Sequence, residues 1–119
     1  MYVADGDNLI GNWGGPRPGE DRRAEVVRRV DAVCERDEAR AVVVFDPTVH
    51  RPAGTARVEV RVAEAGRSAD DLIRALVDAA AAPADLTVVT SDKPLYSYAR
   101  TRGARILRVH EWGRLERRA

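Results

Sequence analysis

Ala41-Val42-Val43-Val44-Phe45-Asp46-Pro47 is the stretch that decides the fold. Five apolar residues in a row, three of them β-branched, describe a strand buried on both faces. Such strands belong to parallel sheets covered by helices on either side. The run stops at Asp46-Pro47, a turn pair that cannot continue the ladder.

The segments around it alternate strand with helix. Upstream, Glu20 to Arg36 carries Val26, Val27, Val30, Val33 and Cys34 at spacings that make one apolar stripe on a helix, with Cys34 a packing residue. Earlier still, Tyr2-Val3-Ala4 reads as a short strand, Asp5-Gly6 as a turn and the Gly/Pro-rich Gly11 to Gly19 as a loop. Downstream, Arg57 to Val62 alternates valine with charge, the pattern of a half-exposed strand at or near an edge. A helix is expected over Ser68 to Ala81, and a second buried strand over Leu86 to Thr90. A helix with Pro94 in its first turn should run to about Arg102 and stop at Gly103. Ile106 to Val109 makes a last strand, and the tail from Glu111 has room for one or two helical turns. Strands separated by helices predict an α/β fold, with a mainly parallel sheet of about five strands and helices on both faces.

The chain has 119 residues, 45% apolar and 33% charged. That fits a single domain over 1–119 with a core of its own, and excludes disorder. No long uncharged run is present to cross a membrane. With one cysteine there is no disulfide framework and no cysteine-based metal site. The opening residues lack a basic and an apolar signal region, so the expected location is the cytoplasm. Net charge is +1, and Lys93 is the only lysine among 20 basic residues. Arginine suits phosphate contacts, although a biased codon usage gives the same composition.

Ligands of open α/β sheets bind beyond the carboxyl ends of the strands. There the first strand delivers Asp5, the second Asp46 and the Leu86 strand Asp92, while Asp70 lies in the first turn of the helix opened by Ser68. Each acid has a plain structural alternative. Asp92 is placed to cap the helix from Lys93, Asp5 and Asp46 suit turns, and Ser68 with Asp71 matches a capping box. Three strand ends closing in aspartate nevertheless point to a shared site. Two unit charges roughly 4 Å apart repel by about 4 kcal/mol at an effective dielectric of about 20. A group of them calls for protons or a cation, and oxygen-only ligands favour Mg²⁺ or Mn²⁺. Such an ion suits phosphodiester hydrolysis.

These residues resemble a known family. Val3-Ala4-Asp5-Gly6-Asp7-Asn8-Leu9-Ile10-Gly11, Val43 to Asp46, Gly66-Arg67-Ser68-Ala69-Asp70, Val88 to Asp92 and Gly103-Ala104 together resemble the NYN domains, in particular the YacP-like branch of these PIN-like nucleases. The resemblance implies a three-layer α/β/α PIN-like fold and a metal-dependent endoribonuclease. Its acidic site would map onto Asp5, Asp70 and Asp92, with Asp46 as a further acid at the metal. Asn8 matches the family's asparagine and would hold the loop or contact the site through its amide. Beside it, Asp7 and Ser91 are expected to support the site. The substrate implied is RNA, in some members with a link to the translation machinery; the single-stranded form is expected because a small open edge can grip an exposed backbone and splayed bases. A second copy of the chain, in a homodimer, is the further candidate partner. Asp7 departs from the family, which usually carries an aromatic residue there. The extra acid adds a metal ligand or marks a divergent subgroup.

Other readings compete. An inactive RNA-binding or regulatory module on the same fold keeps the binding surface without the chemistry. Asp5-Gly6-Asp7 also fits a haloacid-dehalogenase-type phosphatase, with Asp5 as nucleophile and Asp7 as acid/base. Against it, Asn8 and Leu9 do not supply the residues expected next. Trp13 on the glycine-rich loop either stacks a base or packs on the core. Arg17, Arg51 and Arg67, with Arg22 and Arg23, are the candidates for holding RNA phosphates around the rim.

Overall fold

The computed structural model describes residues 1–11 and 22–118. Arg17, Trp13 and most of the expected Gly11–Gly19 loop lie outside them. The strands are β1 (Tyr2–Asp5), β2 (Ala41–Phe45), β3 (Val58–Val62), β4 (Thr87–Val89) and β5 (Arg105–Leu107). The helices are α1 (Gly6–Gly11), α2 (Arg22–Asp37), α3 (Ala69–Ala79), α4 (Lys93–Thr101) and α5 (Val109–Glu116), with a 3-10 turn at Pro83–Asp85.

The five strands form one parallel sheet in the order β3-β2-β1-β4-β5. The all-buried β2 sits inside and the alternating β3 at an edge, as their patterns predict. Side chains along β2 divide between two cores. Ala41, Val43 and Phe45 face the layer of α2 and α5 with Leu9 of α1, and Val42 and Val44 face α3 and α4. Trp112 of α5 is fully buried in the first core and meets Tyr2 edge-on, ring centroids 5.2 Å apart.

Two elements differ from the sequence reading. Asp5-Gly6 is not a free turn, because the chain passes straight from β1 into α1. Gly6 makes this junction feasible: a Cβ there would stand 2.3 Å from the Phe45 ring. The last strand is also shorter than expected, and Val109 opens α5. There the Glu111 side chain accepts the Arg108 N–H at 2.9 Å, a reach-back that starts the helix early.

The topology locates the place for a ligand. From β1 the chain builds outward through β2 to β3, and then crosses to the other side to place β4 and β5. Strand order therefore reverses between β1 and β4, and the crevice at such a switch point is where open parallel sheets bind ligands.

Candidate active site

Asp5 ends β1 at this crevice and is buried, one of only two polar or charged side chains that are, with Thr90, among the described residues. Thr90 follows β4 and donates its hydroxyl to Asp5 Oδ2 at 3.2 Å. Burial and the charge of Asp70 push the Asp5 carboxyl up to about 7, with Asp46 adding to the rise. The Thr90 hydroxyl and the Asn8 N–H oppose it. Asp70, in the first turn of α3, is half-buried and also raised. Its causes are burial, then the Asp92 charge, with Asp46 and a hydrogen bond to Asp92 in the same sense and Arg74 against them. At the carboxyl edge Asp70 thus stands between the others: Asp5 feels Asp70 and Asp46, and Asp70 feels Asp92 and Asp46.

They do not close into a cage. Among the described residues, no group of three or more His, Cys, Asp or Glu side chains is disposed to hold a metal ion. Two of the acids also do the structural work that the sequence leaves open. Asp92 Oδ1 accepts the Leu95 N–H at 3.0 Å and caps α4. Asp46 Oδ1 accepts the Ala69 N–H at 2.8 Å, tying the end of β2 to the start of α3. The capping box of Ser68 with Asp71 is present as expected. The donor set still fits a hard divalent ion, because Mg²⁺ commonly takes one or two carboxylates and completes its shell with water and phosphate oxygens.

A belt of side-chain to backbone hydrogen bonds holds these acids. Asp7 and Asn8, adjacent on α1, reach in opposite directions. Asp7 Oδ2 accepts the Asp46 N–H at 2.8 Å, on the β2 side. Asn8 Oδ1 accepts the Ser91 N–H at 2.8 Å, on the β4 side. Ser91 Oγ in turn accepts the Val109 N–H at the start of α5, at 2.9 Å. The other Asp7 oxygen takes Arg23 of α2 at 3.1 Å. Asp7 is thus engaged at both oxygens, as a clamp. That leaves the phosphatase reading without its free acid/base.

Thr90 is the site residue the sequence reading passed over. Its signal was present in the Thr90-Ser91-Asp92 motif. A hydroxyl between a buried strand and two polar residues needs a partner, and the acid ending the neighbouring strand is the nearest kind.

The rim arginines divide. Arg67 is exposed in the β3–α3 connection. Arg51 is committed in part, since its Nη2 donates to the Val60 carbonyl on the outer edge of β3. Arg23 serves Asp7.

The YacP-like NYN domain family matches residues 2–115. The chain belongs to this family. NYN domains include nucleases. Among solved structures, Rae1 (YacP) from Bacillus subtilis is similar at 24% identity, with a TM-score of 0.82 over 98% of this chain and 72% of that one. A single-substitution variant of Rae1 is similar at 25% identity, with a TM-score of 0.80 over 97% and 73%. No curated protein shows significant similarity to the chain. These likenesses fit the parallel five-stranded sheet described above.

Proposed function

We propose that this NYN domain is a metal-dependent endoribonuclease that hydrolyses single-stranded RNA at the carboxyl edge of its sheet. The observation that carries the reading is the buried Asp5 carboxyl at the β1/β4 switch point, raised to about 7 with Asp70 as its main charged neighbour. A buried acid with its charge opposed by other acids is a poor choice for stability and a useful one for chemistry.

Asp5 and Asp70 would hold Mg²⁺ or Mn²⁺, with Asp92 and Asp46 offering the oxygens that their backbone bonds leave over. When bound, the ion supplies charge stabilisation at the phosphodiester and an activated water. The chain's own residues do the placing. Thr90 fixes the Asp5 carboxyl, Asn8 and Ser91 hold the β4 loop, and Asp7 anchors the β2 end. Rim arginines are available for flanking phosphates.

The test is cleavage of an end-labelled single-stranded RNA with Mn²⁺, with EDTA, and with Asp70→Asn. Loss of cleavage under both treatments is expected. Two of the four acids double as backbone caps, which favours the non-catalytic module as second reading, and RNA binding without cleavage would establish that one. Association with the translation machinery is part of the same proposal, tested by co-sedimentation of the protein with ribosomes.

A further inference from the structure

Helices α3 and α4 cover only part of their face of the sheet. α3 packs over β1 and β2 through Ala69, Ile73 and Val77. The edge strand β3 buries Val58 and Val60 against the α2 layer, and its other side carries Glu59, exposed, and Arg61, half-buried, with no helix packed over them. The gap between α3 and this uncovered strip opens a groove of about 450 Å³. That is within the size range of small-ligand sites.

Its lining is chemically divided. Arg51, Arg61 and Arg67 line it on one side, and Leu72 and Ala75 of α3 on the other. The carboxylates present are Glu64 and Asp71, and Asp71 is already bonded to the Ser68 N–H at 3.0 Å. Arg61 pairs with Glu59 on the uncovered strip, a contact with which a phosphate readily competes. Arg51 is pinned by its bond to Val60, so part of the positive charge is preplaced. Asp71 and Leu72 directly follow Asp70 in the chain. The groove and the acidic crevice therefore share the first turn of α3.

We infer that this groove is a nucleotide subsite: it seats one unit of an RNA strand next to the acidic crevice, phosphate on Arg61 and Arg67, base against Leu72 and Ala75. Single-strand recognition combines a cationic groove for the backbone with a platform for the base, most often aromatic; here the aliphatic side chains of Leu72 and Ala75 take the platform's place. The inference rests on the RNA reading of the site, although binding here does not require cleavage.

The test is fluorescence anisotropy of a labelled hexaribonucleotide in EDTA, with the wild type, Arg61→Ala/Arg67→Ala and Asp70→Asn, alongside the methyl NMR signals of Leu72. The double variant should bind roughly tenfold more weakly, with a salt slope shallower by about one. Asp70→Asn should bind at least as tightly as the wild type, and RNA should shift the Leu72 methyls. Thermal melts confirm that the substitutions leave the fold intact. Unchanged affinity in the double variant, still Leu72 methyls, or no binding by the wild type each overturns the subsite. Binding at Leu72 in a protein that never cleaves RNA would leave the subsite standing and remove the nuclease.

Discussion

The Thr90 hydroxyl faces two ways: it donates to Asp5 Oδ2 at 3.2 Å and accepts the Asp92 N–H at 3.1 Å. One buried oxygen therefore sets both the orientation of the acid on β1 and the start of the loop carrying the acid after β4. Thr90→Val keeps the shape and removes both bonds. We expect a loss of about 1–3 kcal/mol, because the Asp92 N–H loses its acceptor. The Asp5 pKa should rise further, since the hydroxyl holds it down. Carboxyl-carbon NMR titration of Asp5 reads the second effect, and Thr90→Ser should restore it.

Asp5 also gives the metal-free protein a pH dependence of defined sign. Its pKa is 3.8 in the ordinary state and about 7 in the folded one. Between those values the folded chain binds more protons than the unfolded chain, so this group's contribution to stability falls as pH rises across the window. In EDTA, Asp5→Asn should flatten that fall and raise the melting temperature at pH 8, with little gain at pH 4. The gain is on the order of a few kcal/mol at most. Melts that show no pH-dependent difference between the two proteins would remove burial of a charged Asp5 from the account.

At Asp92, charge and capping can be separated. Asparagine is as good an N-cap as aspartate, whereas alanine is not. Asp92→Asn should keep the bond to the Leu95 N–H, remove the charge that raises Asp70, and hold or increase stability without metal. Asp92→Ala should lose about 1 kcal/mol. Both should abolish RNA cleavage. Equal destabilisation by the two substitutions would mean that the carboxylate charge is itself stabilising.

The β2 run and the β3 alternation made the sheet legible, because burial on two faces or one writes directly into the pattern. That Asp5, Asp46, Asp70 and Asp92 lie at the same edge was legible for a similar reason, since a parallel topology sends every strand end and the helix start that follows it there; whether they share one ligand is not written in the pattern. The α1 helix was not legible. Gly6-Asp7-Asn8 has turn composition, and the partners that fix it, the Phe45 ring over Gly6 and the Asp46 and Ser91 amides, are distant in sequence. Nor could spacing tell that Asp46 and Asp92 bind backbone amides, since a cap and a ligand place the same residue type at the same strand end. Thr90 needed a partner across the sheet before its role was visible.

The Gly6–Phe45 approach makes a direct prediction. In Gly6→Ala the new methyl would meet the aromatic ring at 2.3 Å. The ring is fully buried in the core. Overpacking of this kind costs about 1–3 kcal/mol. Chemical denaturation should show the loss, with a mutant midpoint equal to wild type speaking against a tight β1–α1 junction.

Asp7 discriminates between a ligand and a clamp. As a metal ligand, its removal would weaken Mn²⁺ binding and barely touch the fold. As a clamp, it holds Arg23 and the Asp46 N–H, so Asp7→Ala should destabilise the protein by about 1 kcal/mol. In a chain of 119 residues that lowers the melting temperature by several degrees. Asp7→Asn retains an acceptor for the Asp46 N–H and should recover part of the loss. Mn²⁺ affinity measured by calorimetry should change less than threefold in Asp7→Asn and by tenfold or more in Asp70→Asn. The opposite order would move Asp7 into the metal site and return its departure from the family pattern to the chemistry.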